Sequence, residues 1–306
     1  MDLAELARQT AREIAEGKAV IFLGVGASVG TESERIEGKG VLSSGELTRA
    51  IAEHFGVDLQ YDGGGELVST LRGVASRAVL KRGPSTVKRF VIKRIRSGCG
   101  KPLRVHRALA RVAPTIVMTT NYDDLYETAM QEAGKDCKRI VQSSDLVGLP
   151  LNRPRMLKLH GDKEQPHEIE LTGSDYMAWR KRAAGLQAEV VAALQKHVCV
   201  FVGYSVRDEN LEDVLRIISE NLDTDAPKHF AVVHEIDQER AAELHGSVEF
   251  VEGDATRFCE RLAEESAVLS PRPRDPQRER GRPSRLSLKP GTWWEQGGLA
   301  KISPAS

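Results

Sequence analysis

Ala19-Val20-Ile21-Phe22-Leu23-Gly24-Val25-Gly26-Ala27-Ser28 is the stretch on which the reading of this chain turns. Its first five residues are apolar without alternation, the pattern of a strand buried on both faces of a parallel sheet. A glycine-containing polar loop then closes the run. The same arrangement returns three times: Thr119-Thr120-Asn121-Tyr122-Asp123 after an apolar run at 115–118, Leu159-His160-Gly161-Asp162 after 156–159, and Gly203-Tyr204-Ser205 after 198–202. Further apolar runs at 230–233 and 248–251 read as strands, and most of these runs are followed by a helical pattern. Strand then helix, repeated, predicts an α/β fold. In an open parallel sheet, ligands bind outside the carboxyl ends of the strands, so the four polar loops are expected to converge there.

Outward from this stretch, residues 2–16 carry apolar positions at Leu3, Leu6, Ala7, Ile14 and Ala15, a helical rhythm, with Gly17 where a C-terminal cap belongs. Downstream, the segment before residue 115 shows little strand signal and helical patterns at 45–55, 66–82 and 86–97. It is too long for one crossover and is read as a helical insertion over about 31–110, packed over the carboxyl edge of the sheet. The alternative is that Gly63-Gly64-Gly65 marks a surface loop and the helices enlarge the core. Helices are also expected over 124–134 and through Leu211, Val214, Leu215 and Ile218. From about Glu265 the composition changes: residues 271–306 hold six of the 13 prolines, and 271–289 hold seven basic residues against two acidic. Such a segment buries too little apolar surface to offset its ordering entropy, so 1–265 is read as the folded domain and 266–306 as a disordered tail.

Composition narrows the function. Lysine plus arginine and aspartate plus glutamate both number 44, so no whole-chain field recruits nucleic acid or anionic lipid. Nucleic-acid binding is expected only through the basic tail. The acidic start Met1-Asp2-Leu3-Ala4-Glu5 lacks the features of a signal peptide, no apolar run has the length of a membrane span, and the cytoplasm is the expected location. Cys99, Cys137, Cys199 and Cys259 lie far apart with no C-x-x-C pair, so neither disulfide nor metal is expected.

Each polar loop has its own chemistry. Glycines at 24 and 26 let backbone amides approach a pyrophosphate at a helix start. A dinucleotide fingerprint would need glycine at Val29, whereas the next one is Gly30, so phosphate loop and tight turn both remain open. Thr119, Asn121 and Asp123 are residues that cap helices. Capping needs one of them, and an amide and a carboxylate two positions apart suit a water and a substrate carboxamide. His160, followed by Gly161, supplies an imidazole, which near neutral pH is a natural base for water or a sugar hydroxyl. Gly203 and Ser205 suit a loop against ribose or phosphate, and Asp208 suits a helix cap.

Together the four loops resemble the sirtuin superfamily, with its G-A-G-x-S, T-Q-N-x-D, H-G and G-x-S motifs in this order. The resemblance implies a Rossmann-like, mostly parallel sheet with helices on both faces, and it assigns roles: Gly24, Gly26, Ala27 and Ser28 as the NAD pyrophosphate loop, Asn121 as the amide orienting water and ribose, Asp123 as the nicotinamide contact, His160 as general base, and Gly203 with Ser205 as a second nucleotide loop. The two zinc-holding C-x-x-C pairs and the G-x-P-x-F-R segment of the classical deacylases are missing. The course from His160-Gly161 through Leu171-Thr172-Gly173-Ser174-Asp175-Tyr176 to Gly203-Tyr204-Ser205 instead resembles the bacterial SIR2-like branch of antiphage defence systems.

That branch implies an NAD hydrolase with NAD as substrate and no metal: Asn121 and His160 would act on the ribose as positive charge develops, as in glycoside hydrolysis. A zinc-free protein deacylase would need an acyl-lysine channel, a non-catalytic NAD or ADP-ribose binding module would bind without turnover, and a dehydrogenase would need the broken fingerprint. Because unrestrained NAD hydrolysis is toxic, gating by self-association or by a separate sensor protein is expected.

Overall fold

The computed structural model describes residues 1–36, 40–98, 101–150, 152–204, 227–236 and 248–269. In chain order, α1 (Leu3–Ala15) leads into β1 (Ala19–Leu23), followed by the single turn α2 (Gly26–Val29), α3 (Glu32–Ile36), α4 (Ser44–Phe55), α5 (Leu71–Arg82), α6 (Pro84–Gly98) and α7 (Arg104–Val112). Then come β2 (Ile116–Thr119), α8 (Leu125–Glu132), β3 (Lys138–Ile140), β4 (Arg155–Lys158), α9 (Gly173–Arg182), α10 (Ala184–Lys196), β5 (Val198–Val202), β6 (His229–Val233), β7 (Val248–Glu252) and α11 (Ala255–Leu269).

Among the described residues, seven strands form one sheet in the order β3-β4-β2-β1-β5-β6-β7, and every neighbouring pair is parallel. This is the α/β class expected from the apolar runs and the Rossmann-like sheet that the resemblance implies. All five residues of β1 are buried, and successive side chains enter opposite layers. Ile21 and Leu23 join the core that contains residues of α1, α7, α8 and α11, while Val20 and Phe22 join the one built on α9 and α10. A strand covered on both faces has no solvent side, so it carries no polar alternation. The chain builds outward from β1 through β2 to β4 and then returns to its other side at β5, so the reversal of strand order falls beside β1. The crevice at such a reversal is where open α/β sheets bind ligands.

Local signals placed most elements to within a residue or two. Asp2 caps α1 by accepting from the Glu5 amide at 2.7 Å, and Ser43 with Glu46 forms a capping box on α4. The pattern expected as a helix over 66–82 begins only at Leu71, where Thr70 accepts from the Gly73 amide at 3.1 Å. Residues 61–67 instead make a turn. Asp62 Oδ1 accepts from the amides of Gly64 and Glu66, Gly65 has φ +83, and Tyr61 bridges Leu67 antiparallel. The edge strand β3 was not expected: it has only three residues, two of them basic, and forms because β4 offers it a ladder. Residues 266–269, expected to begin the tail, instead complete α11; the rest of the tail, the helix expected from Leu211, and Asp208 lie outside the described residues.

Candidate active site

The loops after β1 and β5 are packed backbone against backbone. Gly24 N donates to Val202 O and Gly26 N to Gly203 O, each at 2.8 Å. A Cβ on Gly24 or Gly26 would stand 2.6 Å from Gly203 O, and one on Gly203, whose φ is +78, would stand 2.3 Å from Ala27 N. Close approach thus demands all three glycines. The Ala27 and Ser28 amides donate to Gly24 O and Val25 O, so four amides of this loop are already engaged within the protein. Their part in holding a pyrophosphate remains what the resemblance implies. Ser205 lies outside the described residues.

Asn121 is held at three points. Its backbone N donates to Thr119 Oγ1 at 2.9 Å, and that hydroxyl donates to Leu23 O at 2.8 Å. Its Nδ2 donates to Gly24 O at 3.0 Å and to Ser28 Oγ at 3.2 Å. With both amide protons engaged, the carboxamide leaves Oδ1 as its remaining hydrogen-bonding atom, an acceptor. Behind Ser28 sits a residue the sequence reading did not single out: His106 on α7, with Nε2 3.3 Å from Ser28 Oγ. His106 Nδ1 accepts from the Leu103 amide at 3.3 Å, so the neutral ring carries its proton on Nε2 and donates to Ser28. Burial pushes the His106 pKa down to about 4, which keeps the ring neutral at pH 7. A polar residue inside the buried stripe Val105, Ala108, Leu109 was its only local signal, since its partner is 78 positions away.

Asp123 is 5% exposed, and its Oδ1 accepts from the Leu125 amide, the first of α8, at 3.1 Å. Its carbonyl accepts from Lys158 Nζ. Neighbouring Thr120 Oγ1 lies 3.0 Å from Tyr204 OH, and Tyr204 OH donates to Leu23 O at 3.2 Å, which ties the β2, β5 and β1 loops together.

His160 follows the end of β4 and is 6% exposed. Gly161 turns the chain at φ +88, where a Cβ would meet Glu168 O at 2.9 Å, and Glu170 N donates to His160 O at 2.9 Å. The His160 ring meets Tyr176 and Trp179 of α9 edge-on, with centroids 6.4 and 6.3 Å away. Those two rings stack on each other at 6.1 Å, and the Arg72 guanidinium of α5 lies over Tyr176 at 5.1 Å. This wall was missed because its spacing, three residues on a helix, is also that of ordinary core packing. Val25, Val41, Leu42, Leu47, Leu71 and Ile95 face residues 120–123 across a pocket of about 60 Å³.

Described residues form no group of three or more His, Cys, Asp or Glu placed to hold a metal ion. Burial pushes the Cys137 thiol up to about 12 and those of Cys199 and Cys259 well above their usual range, so all three stay protonated. Elemental analysis of the purified protein is expected to find no stoichiometric zinc, with a melting temperature unchanged by chelator. One zinc per chain would contradict this.

Two buried histidines set an acid limit. His229 of β6 accepts from the Cys199 amide at 3.1 Å through Nδ1, and burial pushes its pKa, like that of His106, down to about 4. As pH falls below about 6.5, the unfolded chain takes up these protons first. Stability is therefore complete above about pH 6.5 and lost on the way to pH 4. Each histidine should cost about 2 kcal/mol between pH 7 and pH 5. Urea unfolding across that range should show the drop, and His229→Asn should roughly halve it. An unchanged slope in the variant would remove His229 from the account.

The described strands form a parallel sheet with polar loops at its carboxyl edge, and residues 115–251 match the family model described as the SIR2-like domain. Among curated proteins, the chain is 27% identical over 242 residues to the NAD(+) hydrolase ThsA of Bacillus cereus (strain MSX-D12), covering 78% of this chain and 48% of the relative. It is 29% identical over 114 residues to Defense-associated sirtuin 2 of Bacillus subtilis, covering 36% of this chain and 11% of that one. The resemblance to the bacterial SIR2-like branch therefore stands. The chain spans about half the length of the ThsA relative. Among solved structures, a Sir2 homolog–NAD complex aligns at 12% identity with a TM-score of 0.47, over 85% of this chain and 94% of that chain.

Proposed function

We propose that this chain hydrolyses NAD to ADP-ribose and nicotinamide, as the effector of an antiphage defence system acting in the cytoplasm. The observation that carries the reading is the locked orientation of Asn121. Gly24 O and Ser28 Oγ hold its amide protons, which leaves Oδ1 as a fixed acceptor for the substrate side of the loop. The matches to ThsA support the same chemistry. The bond from ribose to the nicotinamide nitrogen breaks, and its electron pair leaves with the nicotinamide. Water adds to the ribose carbon, and its proton passes to His160. Asn121 Oδ1 orients that water or a ribose hydroxyl, and Asp123 is assigned the nicotinamide carboxamide. Gly24, Gly26, Ala27, Ser28, Gly203 and Ser205 are assigned to the phosphates and second ribose.

The pocket beside residues 120–123 is smaller than the several hundred Å³ typical of ligand sites. On this reading the apolar residues of α4, α5 and α6 draw back from residues 120–123 to admit NAD, and gating by self-association or a separate sensor protein acts through that step. The test is mass spectrometry of NAD products with the purified chain, with and without an acylated peptide. ADP-ribose and nicotinamide formed without peptide support the reading. Turnover that depends on the peptide would make the chain a deacylase, and binding without turnover would make it a binding module.

A further inference from the structure

We propose that Lys158 is a positioning residue that holds the Asn121 loop and the His160 loop in fixed relation, an inference that rests on the NAD-cleaving reading above. Lys158 is the last residue of β4, two positions before His160, and its side chain is fully buried. It pairs in register with Thr119, the last residue of β2. One ammonium therefore stands where the two catalytic loops leave adjacent strands.

Its partners come from both sides. Nζ donates to Asp123 O in the first loop and lies 3.0 Å from Asp162 Oδ2 in the second. It also lies 3.4 Å from Glu127 Oε1, in the first turn of α8. Asp162 is itself held, since its Oδ1 accepts from the Glu164 amide at 2.7 Å and lies 3.4 Å from Arg139 Nη1 of β3. A backbone bond, Lys163 N to Tyr122 O at 3.0 Å, ties the same two loops. Burial works against the ammonium, but the Glu127 and Asp162 carboxylates outweigh it and hold its pKa above the ordinary lysine value.

A buried ion cluster contributes little net stability, because desolvation cancels much of the attraction, and apolar side chains of similar volume often do as well. What an apolar residue cannot supply here is a donor that reaches Asp123 O and Asp162 together. Asn121 lies two residues before Asp123, and His160 two residues before Asp162. A shift between the loops would displace the water-orienting amide from the imidazole, and misplacements of about 1 Å cost on the order of 10²-fold in rate.

The test uses the full chain, Lys158→Met and Asp162→Asn, nicotinamide release at varied NAD, and amide hydrogen exchange. In folded Lys158→Met, kcat should fall about 100-fold while KM stays within about threefold, because the loss falls on the transition state. Asp162→Asn should lower kcat about tenfold, and the double variant should be no worse than Lys158→Met alone, since both break one link. Unchanged kcat, or losses that multiply in the double variant, would overturn the proposal. Should Lys158→Met not fold, Asp162→Asn decides by the same split of kcat from KM. If the wild-type chain releases no nicotinamide, the functional reading fails and exchange still decides the link. Lys158→Met should then speed exchange of amides in both 121–123 and 161–163, and unchanged protection in either segment would overturn it.

Discussion

His160→Ala is expected to lower nicotinamide release from NAD by about 10²- to 10⁴-fold in a protein that stays folded, the loss typical of a removed general base. The backbone at this position is fixed independently of the ring, through Glu170 N to His160 O and through the Gly161 turn, so the loop should keep its course. Asn121→Ala should lose about as much for a different reason. It removes one hydrogen bond from Gly24 O, which keeps the Ala27 amide, and one from Ser28 Oγ, which keeps His106 Nε2. That should also cost about 1–3 kcal/mol of stability, which separates it from His160→Ala. The checks are turnover by product analysis and unfolding by urea on the same samples. Near wild-type turnover in a folded His160→Ala protein would remove imidazole from the chemistry.

Gly203→Ala is expected to destabilise the fold by about 3 kcal/mol or more, from a left-handed backbone penalty of about 1–2 kcal/mol and an overpacking cost of about 1–3 kcal/mol. Its Cβ would stand 2.3 Å from Ala27 N, in backbone that cannot turn aside as a side chain can. Relief requires the β1 and β5 loops to separate, which breaks the bond from Gly26 N to Gly203 O and loosens the Gly24 carbonyl that holds Asn121. Turnover should therefore fall with stability. Gly134→Ala is the reference, since Gly134 has φ +66 and nothing within 4 Å of an added Cβ. It should lose only the backbone penalty. Equal losses in the two variants would mean that the loops are not tightly apposed.

The difference between these two glycines shows where sequence reading runs out. Both mark a turn after a regular element, and only the neighbour in space separates a replaceable residue from one that is not. The same holds for Ser28. Its motif was legible, but the partners that hold it, Asn121 and His106, come from 93 and 78 positions away.

The sequence by itself determined the α/β class, six of the seven strands, and the placement of Gly24, Asn121, His160 and Gly203 at strand ends. Each of these rests on local properties: an unbroken apolar run, a helical period, a polar residue where a run stops. Tertiary structure alone decided the strand order, the edge strand β3, the His106–Ser28–Asn121 chain, the aromatic wall of Tyr176 and Trp179, and the burial of Lys158 between two loops. The physical reason is that a buried polar group takes its meaning from its partner. In a parallel sheet that partner sits on a strand reached only after a long crossover, so no short window of sequence contains both.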